Sequence, residues 1–216
     1  MKKIGLLFNG VWSHYTFATA PKYKDLIELI YIHDFDETSL DRLEALMIPF
    51  QSNQNAIAKR KDVIYDFLAK GKKVFIEGDS SMDWIEAKWE DRPTNNYWWV
   101  ENPNNPPISD TDFTHPIYEG LTPRQSCWHT HGSYTSMPSQ AKAIQKKPDG
   151  EIISWETQQY GGTLFATTLD PIVEHGVQQI THLDHYVDKL IFWLSGDKAS
   201  GSFDVPRENY GIAVSC

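Results

Sequence analysis

The chain has 216 residues, with 20 Lys and Arg against 29 Asp and Glu, giving a formal net charge of −9. This length supports one large domain with its own core, and the acidic balance excludes the basic stripe that a nucleic-acid surface requires. Cys127 and the terminal Cys216 make no disulfide framework, no apolar run approaches the roughly 20 residues that span a bilayer, and Ile4–Phe8 is too short for a secretory leader; the expectation is a cytoplasmic protein without membrane or nucleic-acid partners.

Residues 3–8 form a short apolar run ended by Asn9-Gly10, the pattern of a buried parallel strand. A helix is expected within residues 12–25, and residues 27–33 form the second strand. Ser39–Ala45 predicts a short helix capped by Asp36 or Thr38. Leu46–Phe50 predicts the third strand, with Pro49 marking its end. Between Asn55 and Lys70, Ile57, Val63, Ile64, Phe67 and Leu68 share one helical stripe, and Gly71 follows as the stop. The basic run Lys59-Arg60-Lys61 reads as a solvated face of that helix. Val74–Ile76 is the fourth strand, and the alternation predicts a parallel sheet with helices on its faces.

Residues 86–112 interrupt this order with Asn, Pro and Asp and show no period. A stretch of that length without elements of its own is functional or disordered, and the cluster Trp84, Trp89, Trp98 and Trp99 favours an ordered flap. Order resumes with a hairpin around Pro148-Asp149-Gly150, flanked by Ala141–Gln145 and Glu151–Thr157. Thr163–Thr168 is a further strand. Val177, Ile180, Leu183, Val187, Leu190, Ile191 and Leu194 predict one long amphipathic helix ended by Gly196. Residues 1–196 are thus one domain with an insertion at 86–112, and residues 197–216 are a tail.

The strand Val74–Ile76 runs into the turn Glu77-Gly78-Asp79-Ser80 and on to Ser81. Several landmarks beside it occur in a telling order: Phe8-Asn9-Gly10 followed by His14, the strand ending in Gln51-Ser52-Asn53, and Thr114-His115-Pro116-Ile117-Tyr118-Glu119-Gly120-Leu121. The hairpin and then Gly161-Gly162-Thr163-Leu164-Phe165-Ala166-Thr167-Thr168-Leu169-Asp170 complete the set. In this order they resemble the ThuA-like branch of the class I glutamine amidotransferase-like superfamily. The resemblance implies an α/β, flavodoxin-like three-layer sandwich with a mostly parallel sheet, carrying here an inserted aromatic-rich flap. It also implies a site at the carboxyl ends of the strands, where open parallel sheets bind ligands, and a link to sugar utilisation. The amidotransferases hold a nucleophilic cysteine at the turn; here Asp79 and Ser80 stand there and no His-x-Glu pair follows. Glutamine hydrolysis is therefore not expected.

Candidate catalytic groups are Glu77 and Asp79 at the turn, whose carboxylates could divide acid and base roles, and His14 and His175, which follow strands and could serve as general bases. Asp79 or Ser80 equally suits a helix cap. Asn9, Ser80, Trp98 and Trp99 are candidate ligand contacts, the tryptophans as stacking rings or a lid, though a contact with a second copy of the chain or packing over the sheet edge would also use them. His129 and His131 alternate onto one face of an extended run, a spacing that admits a divalent metal. A further ligand, Asp79, His14 or His175, would be needed, and no cofactor is required by the sequence. His182 and His185 read as surface residues. Two functions fit: a binding or processing site for a small polar, carbohydrate-like ligand, or a non-catalytic interaction module acting through the insertion.

Overall fold

Strands with no polar face must be covered on both sides, and the apolar runs pair accordingly. The computed structural model describes residues 3–80, 84–178 and 180–196; Ser81, Cys216 and the expected tail lie outside the described residues. The strands are β1 (Ile4–Phe8), β2 (Ile27–Tyr31), β3 (Ala45–Ile48), β4 (Lys73–Glu77), β5 (Lys88–Glu90), β6 (Asp110–Thr111), β7 (Ser133–Ser136), β8 (Lys142–Lys146), β9 (Ile152–Thr157) and β10 (Thr163–Thr167). They form one sheet of order β2-β1-β3-β4-β10-β9-β7-β5, with β8 on β9 and β6 on β8. β2, β1, β3, β4 and β10 pair in parallel, as expected for all five. β10 meets β9 antiparallel, and the β8–β9 hairpin forms where its turn signal lies.

The helices are α1 (Trp12–Thr19), α2 (Glu37–Leu40), α3 (Gln54–Ala58), α4 (Lys61–Ala69), α5 (Trp98–Glu101), α6 (Pro171–Gln178) and α7 (Asp184–Ser195). Alternate strand residues sort into two cores. Leu6, Met47, Phe75 and Phe165 meet Phe17 of α1, Ile172 of α6 and Leu190 of α7 on one face. Leu7, Ile48, Val74 and Ile76 meet Leu40, Ile57, Phe67 and Leu68 from α2, α3 and α4 on the other. This is the three-layer arrangement. Asp36 caps α2 by accepting from the Ser39 amide, and Ser39 closes a reciprocal capping box.

Two expected helices are broken. The stripe from Asn55 to Lys70 is divided between α3 and α4 at Lys59-Arg60, where the Arg60 guanidinium reaches back to the carbonyls of His33 and Phe35 past the end of β2. Lys59-Arg60-Lys61 is therefore a joint and not one solvated face. The stripe from Val177 to Leu194 is split among α6, a 3₁₀ turn at Thr181–Leu183, and α7. Both pieces cover the same face of the sheet, so the apolar period runs on through the break. The insertion is also more regular than its sequence implies. β5 extends the sheet beside β7, β6 pairs with β8, and α5 sends Trp98 into the core at 3 % exposure. The His115–Leu121 motif is a packing device: Ile117 and Tyr118 are fully buried and His115 pairs with Glu156 at 2.9 Å.

Strand β1 lies between β2 and β3, so the chain leaves it in one direction and later returns on its other side. The crevice at the carboxyl ends of β1 and β3 is the topological switch point where ligands bind in open sheets of this kind.

Candidate functional site

A cleft of about 330 Å³ opens at that switch point. It is lined by Val11, Trp12 and Ser13 after β1, by Gln51 after β3, and by Val173, Glu174 and Val177 of α6. Gln51 has a φ of 67°, the only left-handed non-glycine among the described residues, and its carbonyl accepts from Asn9 Nδ2 at 3.3 Å. Such backbone strain persists only where the surroundings hold it, and it gathers at functional sites. Trp12 is 58 % exposed and stacks on Tyr15 with ring centroids 5.6 Å apart.

Beside the cleft, several polar groups meet in the protein interior. Glu77 ends β4, Asp170 follows β10, Glu174 lies in the first turn of α6, and His129 and His131 precede β7. His131 Nε2 donates to Asp170 Oδ2 at 2.8 Å, and its ring stacks on Phe50 at 3.9 Å. His129 lies flat on Trp128 with centroids 4.4 Å apart, and its Nδ1 is 3.9 Å from Glu174 Oε1. One donor atom each from His129, Asp170 and Glu174 lies within 4.8 Å of the others. Burial pushes the Glu77 carboxyl well above the usual range, and the neighbouring Asp170 adds to this; the Phe50 and Ile172 amides face it and oppose the shift, though neither reaches hydrogen-bonding geometry. Burial raises Glu174 and lowers His129.

Gly78 makes the turn after β4 workable. Its φ is 75°, and a Cβ there would stand 2.4 Å from the Phe50 ring. The ring therefore closes over the turn, and it also stacks on His131.

The residues expected from sequence part into groups. Glu77, His129 and His131 each neighbour Asp170. Fully buried His14 lies one shell away, its Nε2 donating to the Phe50 carbonyl at 2.7 Å, and burial lowers its pKa to about 4 against that bond. Asn9 braces Gln51. Ser80 turns to the Tyr134 hydroxyl at 3.1 Å, and half-buried Asp79 also faces Tyr134. His175 does not open to the crevice. It sits on α6 at 3 % exposure, pairs with Asp184 at 3.2 Å and packs on Phe17 and Tyr23, because one further residue of helix turns it away from Glu174 toward α1. Trp98 and Trp99 are not presented for stacking either; Trp98 packs on His182 and Trp99 on Trp128. His182 is accordingly half-buried between Trp98 and Trp128, while His185 is exposed as expected. Sequence reasoning missed Asp170, Glu174, Gln51 and Trp12. The available signal was position: Asp170 and Trp12 follow strand ends.

Cys127 is fully buried and its thiol is pushed far above the ordinary range by desolvation, the opposite of an activated nucleophile.

No protein-family model and no curated protein sequence matches the chain. Solved structures do. A protein from Thermoplasma acidophilum, provisionally assigned to GMP synthase, aligns with a TM-score of 0.61 at 14 % identity, over 91 % of this chain and 94 % of that one. A provisionally assigned ThuA-like protein from Bacteroides uniformis aligns at 0.56 and 13 % identity, over 93 % and 94 %. An exo-β-1,4-mannosidase from an Opitutaceae bacterium aligns at 0.54 and 10 % identity, over 88 % of this chain but 36 % of the enzyme. These likenesses are of fold alone: the chain shares the architecture of the ThuA-like protein and of the other two structures. Among the described residues no helix is long and apolar enough to cross a membrane.

Proposed function

We propose that the cleft at the switch point binds a small polar ligand of the carbohydrate class and that the adjoining carboxylates act on it by acid–base chemistry. The observation that carries this reading is the lining: an exposed indole, Trp12, and a half-buried carboxylate, Glu174, share one 330 Å³ cleft. A sugar offers an apolar C–H face to such a ring and hydroxyls to such an acid, and the volume falls at the low end of the roughly 300–1,000 Å³ of small-molecule sites. Glu77, whose carboxyl is raised well above the usual range by burial and by the neighbouring Asp170, is suited to proton donation, with Asp170 as its carboxylate partner. The likeness to one part of an exo-mannosidase supports the class of ligand. Cys127, the only cysteine among the described residues, is buried and takes no part in it.

The test is a panel of mono- and disaccharides titrated by calorimetry and ligand-observed NMR. At least one should bind saturably, and Trp12→Ala should weaken it about tenfold or more, near 1.4 kcal/mol, with Glu174→Gln weakening it as well. No binding across the panel, or binding unchanged in both variants, would overturn the reading.

A second reading rests on a separate observation. Tyr97 and Val100 around α5 are 70 % and 60 % exposed while Trp98 between them is buried. This outer face of the insertion suits a protein partner or a second copy, and light scattering on Tyr97→Ser/Val100→Ser against the wild type decides whether self-association depends on it.

A further inference from the structure

We propose that His129, Asp170 and Glu174 bind a divalent first-row transition-metal ion, of the Mn²⁺ or Zn²⁺ class, at the inner wall of the cleft. The three residues come from separate parts of the chain: the segment before β7, the end of β10 and the first turn of α6. Their donor atoms nonetheless converge within 4.8 Å of one another. Around an ion with bonds of roughly 2.0–2.2 Å, donor atoms stand roughly 3–4.4 Å apart, so closure by a fraction of an ångström completes the set.

A second, independent observation points to a ligand. Asp170 is 1 % exposed, and while its Oδ2 accepts from His131, its Oδ1 has no partner. His129 Nε2 and Glu174 Oε2 are likewise buried without partners. Burying an acceptor with nothing to accept from costs about 1–3 kcal/mol, more when it is charged. Glu77, at 1 % exposure with neither oxygen hydrogen-bonded, adds a further buried carboxyl to the group. A cation held by His129, Asp170 and Glu174 would answer the deficits of those three residues.

The supporting shell is that of a metal site. Metal-bound carboxylates are usually hydrogen-bonded on their other oxygen, and His131 does this for Asp170, itself fixed by the Phe50 ring. Trp128 fixes the plane of His129 in the same way. One imidazole nitrogen with carboxylate oxygens is a mixed donor set that suits Zn²⁺ or Mn²⁺ better than the all-oxygen cages of Ca²⁺ and Mg²⁺. Because Glu174 also lines the cleft, the ion would face a ligand bound there. The inference deepens the carbohydrate reading, but ion binding is measured without any sugar.

The experiment uses the full chain after chelator treatment and dialysis. Mn²⁺ and Zn²⁺ are titrated by calorimetry, with Mn²⁺ also followed by the loss of its free-ion electron paramagnetic resonance signal, and Mg²⁺ as the hard-ion comparison. One ion per chain is expected, tighter for Mn²⁺ or Zn²⁺ than for Mg²⁺. Asp170→Asn and Glu174→Gln should each weaken it 100-fold or more, and His131→Ala, as a positioning change, by about 10–100-fold. Circular dichroism identifies variants that remain folded. Absence of saturable Mn²⁺ and Zn²⁺ binding, or wild-type affinity in the folded Asp170→Asn and Glu174→Gln proteins, overturns the proposal. Ion binding without sugar binding would overturn only the carbohydrate reading, and sugar binding to the metal-free protein without ion binding would overturn only this one.

Discussion

His14 is held between two opposing demands. Burial lowers its pKa to about 4, and the bond to the Phe50 carbonyl pulls weakly the other way. In the unfolded chain the imidazole titrates near 6.5. The unfolded state therefore binds more protons between those values, and stability rises with pH across that window. As pH falls from about 6.5 to about 4, His14 alone should cost on the order of 3 kcal/mol. His182, also lowered to about 4 by burial, acts in the same window and direction. Glu77 has the opposite sign: its carboxyl is raised in the fold, so its contribution is lost as pH rises through that folded value. Urea unfolding at several pH values checks the prediction through the difference between wild type and His14→Gln, which should shrink on acidification. Gln51 offers a second test at this scale. Relieving its left-handed strain with Gln51→Gly should stabilise the protein by about 1 kcal/mol while weakening ligand binding, because the side chain leaves the cleft wall. Residue type and strand-end position made His14, Glu77, His129 and His131 legible in the sequence. Asp170 and Glu174 were not legible, because an acid acquires a role there only through neighbours supplied by distant segments.

At the scale of elements, the site depends on how closely α6 approaches α1. Thr16 Oγ1 donates to the Gly176 carbonyl at 2.6 Å, and a Cβ on Gly176 would stand 2.4 Å from the Ser13 carbonyl oxygen. Backbone cannot yield as a flexible side chain can, so Gly176→Ala must push the helices apart. The expected cost is about 1–3 kcal/mol, with weaker ion and ligand binding because Glu174 and Val177 move away from Trp12 and Ser13. Wild-type affinity with unaltered stability would show that the contact does not set the cleft. The parallel strands were readable because burial on both faces leaves continuous apolar runs. Helix interruptions were not, since α6 and α7 cover one face and keep one period, and the break at Arg60 is made by carbonyls of the segment after β2. His175 shows the same limit: its position after a strand was legible, but the turn of α6 that carries it away from the crevice was not.

For the whole molecule, the insertion decides whether the antiparallel side of the sheet is a part of the fold or an appendage. β5 and β6 are only three and two residues long, too short to show a period, which is why their sequence reads as loop. Yet α5 places Trp98 in the same core as Tyr118, Trp128 and the α7 residues Tyr186 and Leu190. A buried Trp removes about 200 Å² from water, worth several kcal/mol at roughly 25 cal/mol per Å². Trp89 adds a specific tie, its Nε1 donating to the His131 carbonyl at 2.6 Å, so the insertion braces the segment that carries both site histidines. Trp98→Ala should therefore destabilise the whole protein by about 3–5 kcal/mol, seen as a lower urea midpoint of a single transition. A mobile lid predicts something different: stability within about 0.5 kcal/mol of wild type, as for surface changes, and altered ligand binding alone. The packing favours the first outcome, because removing a ring from the core face that also holds Trp128 loosens the support beneath His129.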